Sequence, residues 1–418
     1  MEPILPDYDW IENFSIRSRK TELEGKLCGL RVDINSPVEN GKVVDNPRIT
    51  SVAQLLTKYI TEYKMIPVVF CHQGRSGNSD LASTVNHSEL LNAQTPSSIQ
   101  VLHRSRCIRT KKAFLESLDI GQAVVLENSR MPDREVGNWE KTPEKGRKLF
   151  ANTFDGVLSY YILDAFPTAH RTDTTMTPTF QKTEVLVGEN FEREHESIGN
   201  LRSRVWYGKV TNFGFGGAKL GKVSDIVKLL QNENTYVYLG GVPAQIMLHV
   251  LKYPLGKANE AFVTSKGNLD NAKKLAAAFG DRIVLPFDFN VEFPDRSRRM
   301  LNLTQLPSHP TGSIIDIGRY TVDSIIEDVN YEFVLAGPLG VVEKGGASTI
   351  NLISGIHNRG VSVTILGGDS THLTDKYGLG GIPNFKYLLS GGAALHYIAG
   401  NRMDALEFLR TEYWETNH

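Results

Sequence analysis

Four arginines lie at or near the ends of strand-like or turn-like segments in the first half of the sequence. They are Arg48 in Asp-Asn-Pro-Arg-Ile, Arg75 in His-Gln-Gly-Arg, Arg130 in Glu-Asn-Ser-Arg and Arg171 in Thr-Ala-His-Arg. Taken singly, each is more typical of a solvated surface than of a ligand site. A guanidinium group nevertheless binds phosphate or carboxylate through paired, charged hydrogen bonds. If the segments are neighbouring parallel strands, the four side chains converge and hold a small dianion.

Polar residues near these arginines extend the candidate site. Asp33 and Asn35 follow an apolar segment, and they either exchange hydrogen bonds with a ligand hydroxyl or carboxylate or simply form a turn. His72 and His170 lie close in sequence to two of the arginines. Because a lone histidine is as often a packed structural residue, we expect a supporting role for both.

Glycine-rich loops replace the arginines in the second half. The pattern GxxxxGK[ST] is absent, but Gly216-Gly217-Ala218-Lys219 precedes a predicted helix and places a lysine where backbone amides face a phosphate. Three further loops are Gly240-Gly241, Gly337-Pro338-Leu339-Gly340 and Gly367-Gly368-Asp369-Ser370. Glycine lets a backbone approach a ligand closely, so the four loops together predict a nucleotide site. Asp369 is expected to serve as a helix N-cap and as a magnesium ligand.

Short apolar segments alternate with helix-like stretches, and they must position these loops. The predicted strands are 66–71, 123–126, 157–163, 236–239, 283–289, 333–336 and 361–366, and the predicted helices include 51–63, 224–231, 271–279 and 405–410. This alternation predicts an α/β protein with two parallel sheets flanked by helices. In such sheets ligands bind beyond the carboxyl ends of the strands, where the arginines and glycines fall.

Two stretches connect these elements. Residues 187–204 are charged and helix-prone, and they form either a hinge helix between two series of strands or an ordinary surface helix. Residues 78–100 are polar and are predicted to be rich in loops.

Composition limits the classes of function. The chain has 418 residues, which exceeds the size of one ordinary core and predicts two domains. The 46 basic and 47 acidic residues nearly balance, so no overall basic field favours nucleic acid or an anionic membrane as partner. Cys28, Cys71 and Cys107 are too few and too widely spaced for a disulfide framework or zinc site. With no targeting segment or apolar run of spanning length, a cytoplasmic location is expected.

Ten short stretches, in collinear order, resemble phosphoglycerate kinase over nearly the whole chain. They are 31–37, 41–49, 72–75, 126–130, 164–171, 216–219, 316–318, 337–343, 367–370 and 391–394. The His-Gln-Gly-Arg form is similar to the archaeal branch of the family. The resemblance implies two Rossmann-like lobes in a monomer: an acid-substrate lobe of residues 1–187 and about 402–418, a hinge helix at 188–204, and a nucleotide lobe at 205–401.

The resemblance also implies a reaction: 1,3-bisphosphoglycerate and ADP give 3-phosphoglycerate and ATP, with Mg²⁺ bound to the nucleotide. Arg48 and Lys219 would be catalytic. The acid would be held by Asp33, Asn35, His72, Arg75, Arg130, His170 and Arg171. The nucleotide would contact Gly216, Gly217, Lys219, Gly240, Gly241, Gly337, Pro338, Glu343, Gly367, Gly368, Asp369 and Ser370, with Asp369 as the metal ligand.

Several positions depart from the family pattern and leave alternatives open. Ala336 stands where the family usually has Asn, the loop after Glu343 is short, and Lys222 is a rival to Lys219 as the lysine on the phosphate side. One alternative is a divergent relative that phosphorylates another small carboxylate. Another is a non-catalytic binder of nucleotide or phosphometabolite, against which the presence of Arg48, Lys219 and Asp369 argues.

Overall fold

The computed structural model describes residues 9–108, 110–131, 138–139, 143–218, 220–221, 223–267, 269–367, 385–388 and 390–417. The chain forms two compact units. One contains residues 7–196 and 402–418, and the other contains residues 197–401, so the division falls inside a helix, α5 (Glu189–Trp206). Among the described residues, no helix is both long and apolar enough to cross a bilayer.

Six strands form the parallel sheet of the unit that contains residues 7–196. They are β1 (Leu27–Val32), β4 (Ile66–Phe70), β5 (Gln100–Arg104), β6 (Gln122–Leu126), β7 (Tyr160–Asp164) and β8 (Glu184–Val187). Their order in the sheet is β5-β6-β4-β1-β7-β8, and every neighbouring pair is parallel. The strands are continuous apolar runs because both faces of a parallel sheet are covered.

Helices and short turns complete this unit. The helices are α1 (Pro47–Thr61), α2 (Val85–Gln94), α3 (Lys112–Leu115), α4 (Pro143–Phe154), the start of α5, and α13 (Asp404–Asn417). A small hairpin of β2 (Val38–Glu39) and β3 (Lys42–Val43) follows β1, and 3₁₀ turns occupy Asp9–Phe14, Ile16–Arg19 and Phe166–Thr168. On one face Phe70 packs edge-on against Phe150 and Phe154, which are fully buried on α4.

The second unit repeats the arrangement. Its parallel strands are β9 (Asn212–Phe215), β10 (Tyr236–Leu239), β11 (Ile283–Val284), β15 (Phe333–Ala336), β16 (Val363–Leu366) and β17 (Phe385–Leu388), in the order β11-β10-β9-β15-β16-β17. A separate antiparallel sheet has the order β13 (Arg298–Asn302), β12 (Asp288–Glu292), β14 (Ser313–Ile317). The helices are α6 (Val223–Leu229), α7 (Gly241–Val250), α8 (Lys257–Lys266), α9 (Leu269–Phe279), α10 (Arg319–Asp328), α11 (Ser348–Asn358) and α12 (Gly391–Ile398).

The predicted α/β class with two helix-flanked parallel sheets is confirmed. One local prediction is wrong, and another is incomplete. The single strand predicted at 283–289 is two strands in different sheets, because Pro286 between them has no backbone N–H to continue a ladder. The stretch 78–100 contains the helix α2, whose buried side chains include the polar residues His87 and Ser88, so no apolar stripe marked it in the sequence.

Candidate active site

Four neighbouring strands bring the predicted anion-binding residues to one edge of the first sheet. The strands β6, β4, β1 and β7 lie side by side and run in the same direction. Their carboxyl ends lead into Arg130 after β6, His72 and Arg75 after β4, Asp33 and Asn35 after β1, and His170 and Arg171 after β7. The condition on which convergence depended, neighbouring parallel strands, is therefore met.

Arg48 reaches this edge from the start of α1. Asn46 is the N-cap of that helix, and its Oδ1 accepts a hydrogen bond from the Arg48 backbone N–H at 3.0 Å. The Arg48 guanidinium donates to the Asn35 carbonyl at 2.8 Å and forms an ion pair with Asp33 at 3.4 Å. The Arg48 side chain keeps 30% of its surface exposed, so it is held in place and still open to a ligand.

Arg31 is a member of the site that was not predicted. It lies inside β1 and is fully buried, and it donates to the carbonyl oxygen of Val32 at 2.8 Å. Its Nη2 lies 2.8 Å from Nδ1 of His72. Because a guanidinium can only donate, Nδ1 must be the acceptor, and neutral His72 carries its proton on Nε2. The signal in the sequence was a charged residue within an otherwise apolar strand.

The loop after β6 fixes Arg130. Its guanidinium donates to the carbonyl of Gly74 at 2.7 Å and lies 3.5 Å from Asp173, and both side chains of this ion pair are buried. Asn128, another residue that was not predicted, accepts from the Arg130 backbone N–H at 3.0 Å. A buried arginine held by two acceptors has a defined orientation, which a solvated one lacks.

The positive charges lie close enough to affect one another. Burial lowers the pKa of His72 well below its ordinary value, and the charges of Arg31, Arg130, Arg171 and Arg48 lower it further. Burial likewise lowers the pKa of Arg171, which Asp173 and Asp33 oppose and Arg31 and Arg75 reinforce. His72 is therefore a neutral donor among cations, an environment that favours an anionic ligand.

The remaining predicted residues of this edge are more open. Arg75 is exposed, and its backbone N–H donates to the Asp80 carboxylate at 3.2 Å. His170 is half-buried and directly precedes Arg171, which is also half-buried. Asn35 uses its Oδ1 to accept from the Gly74 backbone N–H at 2.7 Å, so it also joins the loops after β1 and β4.

In the second unit, the glycine loops after β9, β10 and β15 pack directly on one another. The backbone N–H of Gly217 donates to the Pro338 carbonyl at 2.7 Å, and that of Gly241 donates to the Leu339 carbonyl at 2.7 Å. A Cβ on Gly216 would lie 2.0 Å from the Pro338 oxygen, so no larger side chain fits there. Gly337 has φ +88°, a conformation that glycine adopts readily.

At the end of β16, glycines again lie where the backbone segments approach closely. Gly367 has φ +102°, and a Cβ on Gly391 would lie 2.5 Å from the Cα of Gly367. The predicted site residues Lys219, Gly368, Asp369 and Ser370, together with the rival Lys222, lie outside the described residues. Glu343 lies in a short 3₁₀ turn, Val342–Lys344, and its side chain is also outside the description. Within the described part, no group of three or more histidine, cysteine or acidic side chains is placed to hold a metal ion.

Comparisons with known proteins agree with this architecture. A family model described as phosphoglycerate kinase matches residues 18–401. A protein named phosphoglycerate kinase from Methanococcus maripaludis is 30% identical over 413 residues, covering 94% of this chain and 97% of the relative. One of the same name from Pyrococcus abyssi is 27% identical, with 93% and 95% covered.

Solved structures are also similar. The crystal structure of phosphoglycerate kinase from Pyrococcus horikoshii OT3 has a TM-score of 0.80 and 27% identity, covering 96% of this chain and 100% of that one. The structure from Coxiella burnetii has a TM-score of 0.65 at 22% identity, with 94% and 97% covered, and shows the fold alone. The predicted similarity to archaeal proteins is confirmed by the two relatives from Methanococcus and Pyrococcus.

Proposed function

Because this chain belongs to the phosphoglycerate kinase family, we propose that its arginine edge binds 3-phosphoglycerate and that its glycine loops bind ATP or ADP. The chain is a phosphotransferase that moves a phosphoryl group between the nucleotide and the carboxylate of 3-phosphoglycerate. What remains to be assigned is which of its residues perform each part of that reaction.

On the acid side, the cations neutralise the substrate and the polar residues orient it. Arg130 and Arg171, with the more exposed Arg75, bind the phosphate and carboxylate of the acid through charged hydrogen bonds. Neutral His72 donates from Nε2, since Arg31 occupies Nδ1. His170 supports the same anion. Asp33 and Asn35 accept from and donate to the substrate hydroxyl while they hold Arg48 in place.

On the nucleotide side, backbone groups do most of the binding. The loops at Gly216–Gly217, Gly240–Gly241 and Gly337–Pro338 line the base, Glu343 contacts the ribose, and Gly367, Gly368 and Ser370 approach the phosphates. Lys219 reaches the phosphoryl group being transferred. We propose that the nucleotide is used as its Mg²⁺ complex, with Asp369 as protein ligand, and that the ion neutralises charge on the phosphate oxygens.

The chemistry needs positioning more than covalent participation. A phosphoryl group in transfer spreads negative charge over its equatorial oxygens, and fixed cations stabilise that charge. Arg48 supplies such a cation from the first unit and Lys219 from the second. The donor and acceptor must also lie in line and away from water, since an acyl phosphate hydrolyses readily. We propose that closure about α5 meets both needs.

One observation supports the acid site above the others: burial lowers the pKa of His72, and the charges of Arg31, Arg130, Arg171 and Arg48 lower it further, so four cations act on one donor. The test is a coupled assay with 3-phosphoglycerate and MgATP, run beside a panel of other small carboxylates. Turnover on the panel but not on 3-phosphoglycerate would overturn the substrate assignment.

Lysine variants test the nucleotide side. Lys219→Ala is expected to lose turnover and to keep the binding of both substrates, because the lysine acts on the transferring group. Lys222→Ala is the matched control and should retain turnover. The opposite result would transfer the role to Lys222.

We further propose that the protein acts as a cytoplasmic monomer. Its three cysteines are buried and are not joined by disulfides, which is typical of a reducing compartment. Size-exclusion chromatography with light scattering checks the monomer directly.

A further inference from the structure

Gln73 lies in the middle of the candidate site but faces away from solvent. Its side chain is fully buried between the loops after β1 and β4. The side-chain amide makes four hydrogen bonds: Oε1 accepts from the Ser36 backbone N–H and from His87 Nε2, and Nε2 donates to the carbonyls of Ser36 and Asp80. Both lone-pair positions and both hydrogens of the amide are therefore used.

The orientation of this amide is unambiguous. The Ser36 backbone N–H, 2.9 Å from Oε1, can only donate, and the carbonyls of Ser36 and Asp80, 2.9 and 3.0 Å from Nε2, can only accept. Because Oε1 is then an acceptor, His87 must donate from Nε2. Burial lowers the pKa of His87 to about 4, so the ring is neutral and holds this tautomer at physiological pH.

Through Ser36, this network leads to Arg48. The Ser36 hydroxyl accepts from Asn46 Nδ2 at 2.7 Å, and Asn46 Oδ1 accepts from the Arg48 backbone N–H at 3.0 Å. The paired hydrogen bonds between Gln73 and the Ser36 peptide thus fix the loop on which the start of α1 rests.

In the other direction, the network leads to Arg130. Asn128 pairs with the backbone of Gln73, accepting from its N–H at 3.1 Å and donating to its carbonyl at 2.7 Å. Asn128 also accepts from the Arg130 backbone N–H, and the next residue after Gln73, Gly74, accepts from the Arg130 guanidinium at 2.7 Å. Gly74 in turn donates to Asn35.

We propose that Gln73 is a positioning residue for the acid substrate: it sets the relative positions of the start of α1, which carries Arg48, and of the strand-end loops that carry Arg75 and Arg130. This inference rests on the proposed acid site. A buried amide that makes all four of its hydrogen bonds specifies one arrangement of the groups around it, whereas a partly satisfied one does not. Since a displacement of about 1 Å can cost about 10²-fold in rate, the amide acts on catalysis without touching the ligand.

The test compares two substitutions in the full-length enzyme. Gln73→Leu keeps the bulk and removes all four hydrogen bonds. We expect KM for 3-phosphoglycerate to rise and kcat to fall, together by about tenfold or more, while KM for MgATP changes less than about twofold. A merely structural role would change both KM values or neither.

Gln73→Glu supplies a second readout. The ionised carboxylate still accepts from Ser36 and His87 but cannot donate to the two carbonyls, whereas the protonated acid can donate to one of them. Its turnover relative to wild type should therefore rise as the pH falls, and Gln73→Leu should show no such dependence. If Gln73→Leu does not fold, this pH profile alone decides the question.

Asn92→Leu, at an exposed position, is the control. Asn92 is another amide in the same unit, and it accepts from the Val101 backbone N–H at 2.9 Å, between α2 and β5. It should retain both KM values. The proposal is overturned if Gln73→Leu keeps the wild-type KM and kcat for 3-phosphoglycerate, or if both substrates are affected equally.

A binding measurement separates this proposal from the assignment of substrate. Inorganic sulfate should raise the Tm of the wild type and of Asn92→Leu, and it should raise the Tm of Gln73→Leu much less. If the wild type is inactive with 3-phosphoglycerate but still shows this difference, the substrate is wrong and the role of Gln73 stands. Equal stabilisation of all three proteins rejects the role of Gln73.

Discussion

At the scale of single residues, the site is distinguished by cations whose orientation is fixed before a ligand arrives. Arg130 is buried between Gly74 and Asp173, and Arg48 is held by Asn35 and Asp33. Fixed cations stabilise developing charge without reorganisation at the moment of reaction. Orientation, more than the number of charges, should therefore determine the rate.

Arg48→Lys tests this directly. The substitution keeps the charge but replaces the planar fork with a point charge that cannot hold the same contacts to Asn35 and Asp33. We expect kcat to fall about hundredfold, with a smaller change in KM for 3-phosphoglycerate. Arg104→Lys is the control, since Arg104 lies at the end of the edge strand β5, over the ring of Phe114. Unchanged kcat in Arg48→Lys would remove Arg48 from the transfer step.

His87 should make the protein sensitive to acid. Its pKa is lowered by burial from 6.5 to about 4. Between about pH 4 and pH 6.5 this histidine is therefore protonated in the unfolded chain and neutral in the folded one. The contribution of neutral His87 to the free energy of unfolding is fully present above pH 6.5. It is lost as the pH falls toward 4, and the loss is about 3 kcal/mol. Asp164, whose pKa is raised by burial to about 7, acts in the opposite direction in the same window.

The contribution of His87 to the pH dependence of stability is therefore measured as the difference in the free energy of unfolding between the wild type and a His87 variant. In His87→Gln, which keeps an N–H donor toward Gln73, the free energy of unfolding should rise relative to that of the wild type by about 3 kcal/mol as the pH falls from 6.5 to 4. Urea titrations at several pH values measure it. The difference between the two proteins should be constant above pH 6.5. A difference that stays constant down to pH 4 would contradict the prediction.

The sequence alone identified Arg48, Arg75, Arg130 and Arg171 because each follows a recognisable segment. It did not identify Arg31, Gln73 or Asn128 as site residues, although all three lie inside the quoted stretches. Their importance comes from hydrogen bonds to residues 37 to 55 positions away in the chain. Contacts over such separations leave no local pattern in the sequence, and a glutamine or asparagine in a loop looks like an ordinary loop residue.

At the scale of elements, the two units hold their strand-end loops together by different kinds of hydrogen bond. In the first unit the strand ends are joined by side-chain amides. In the second the loops after β9, β10 and β15 are joined by backbone hydrogen bonds, and glycine is required because the chains approach too closely for a Cβ. The glycine loops of the second unit should therefore tolerate substitution poorly even at positions that contact no ligand.

Gly216→Ala is the corresponding prediction. Its methyl group would lie 2.0 Å from the carbonyl oxygen of Pro338, so the two loops must separate. We expect a loss of about 2 kcal/mol in the free energy of unfolding and a higher KM for MgATP, with KM for 3-phosphoglycerate little changed. Gly280→Ala is the control, because a Cβ there has no atom within 4 Å. If Gly216→Ala keeps the wild-type free energy of unfolding and the wild-type KM for MgATP, the two loops can separate without loss, and the prediction is wrong.

Strand positions were predictable where an apolar run had clear limits. The strands 236–239 and 333–336 match the structure residue for residue. The antiparallel sheet of β12, β13 and β14 was not predicted, because β13 contains Arg298 and Arg299 and is mostly exposed, so it shows neither an apolar run nor a clean alternation. Packing on one face of a small sheet leaves too few buried positions to produce a period.

At the scale of the whole molecule, the chain leaves the first unit at α5 and returns to it for α13. Met403, Ala405, Leu406 and Leu409 are buried, and the Ala405 backbone N–H donates to the carbonyl of Ala169 at 2.9 Å. Ala169 lies two residues before Arg171. No local pattern in residues 402–418 showed where this segment packs; that expectation came from the family resemblance.

Removal of residues 402–418 should therefore affect the first unit selectively. Exposure of the apolar surface beneath Leu406 and Leu409 is worth about 1.5–3 kcal/mol for each side chain. We expect faster amide hydrogen exchange in residues 7–196, unchanged exchange in the core strands β9, β10 and β15, and a higher KM for 3-phosphoglycerate. Equal loss of protection in both units would mean that the segment stabilises the molecule as a whole.

The divided first unit also has a consequence for biosynthesis. A ribosome makes residues 7–196 first, but the segment that completes their unit is made only after all of residues 197–401. The contiguous unit can thus acquire its full set of contacts earlier, although its sequence comes later. Until the final helix emerges, the first unit of the nascent chain is incomplete, and chaperones are expected to bind the apolar surface that Leu406 and Leu409 cover in the folded protein.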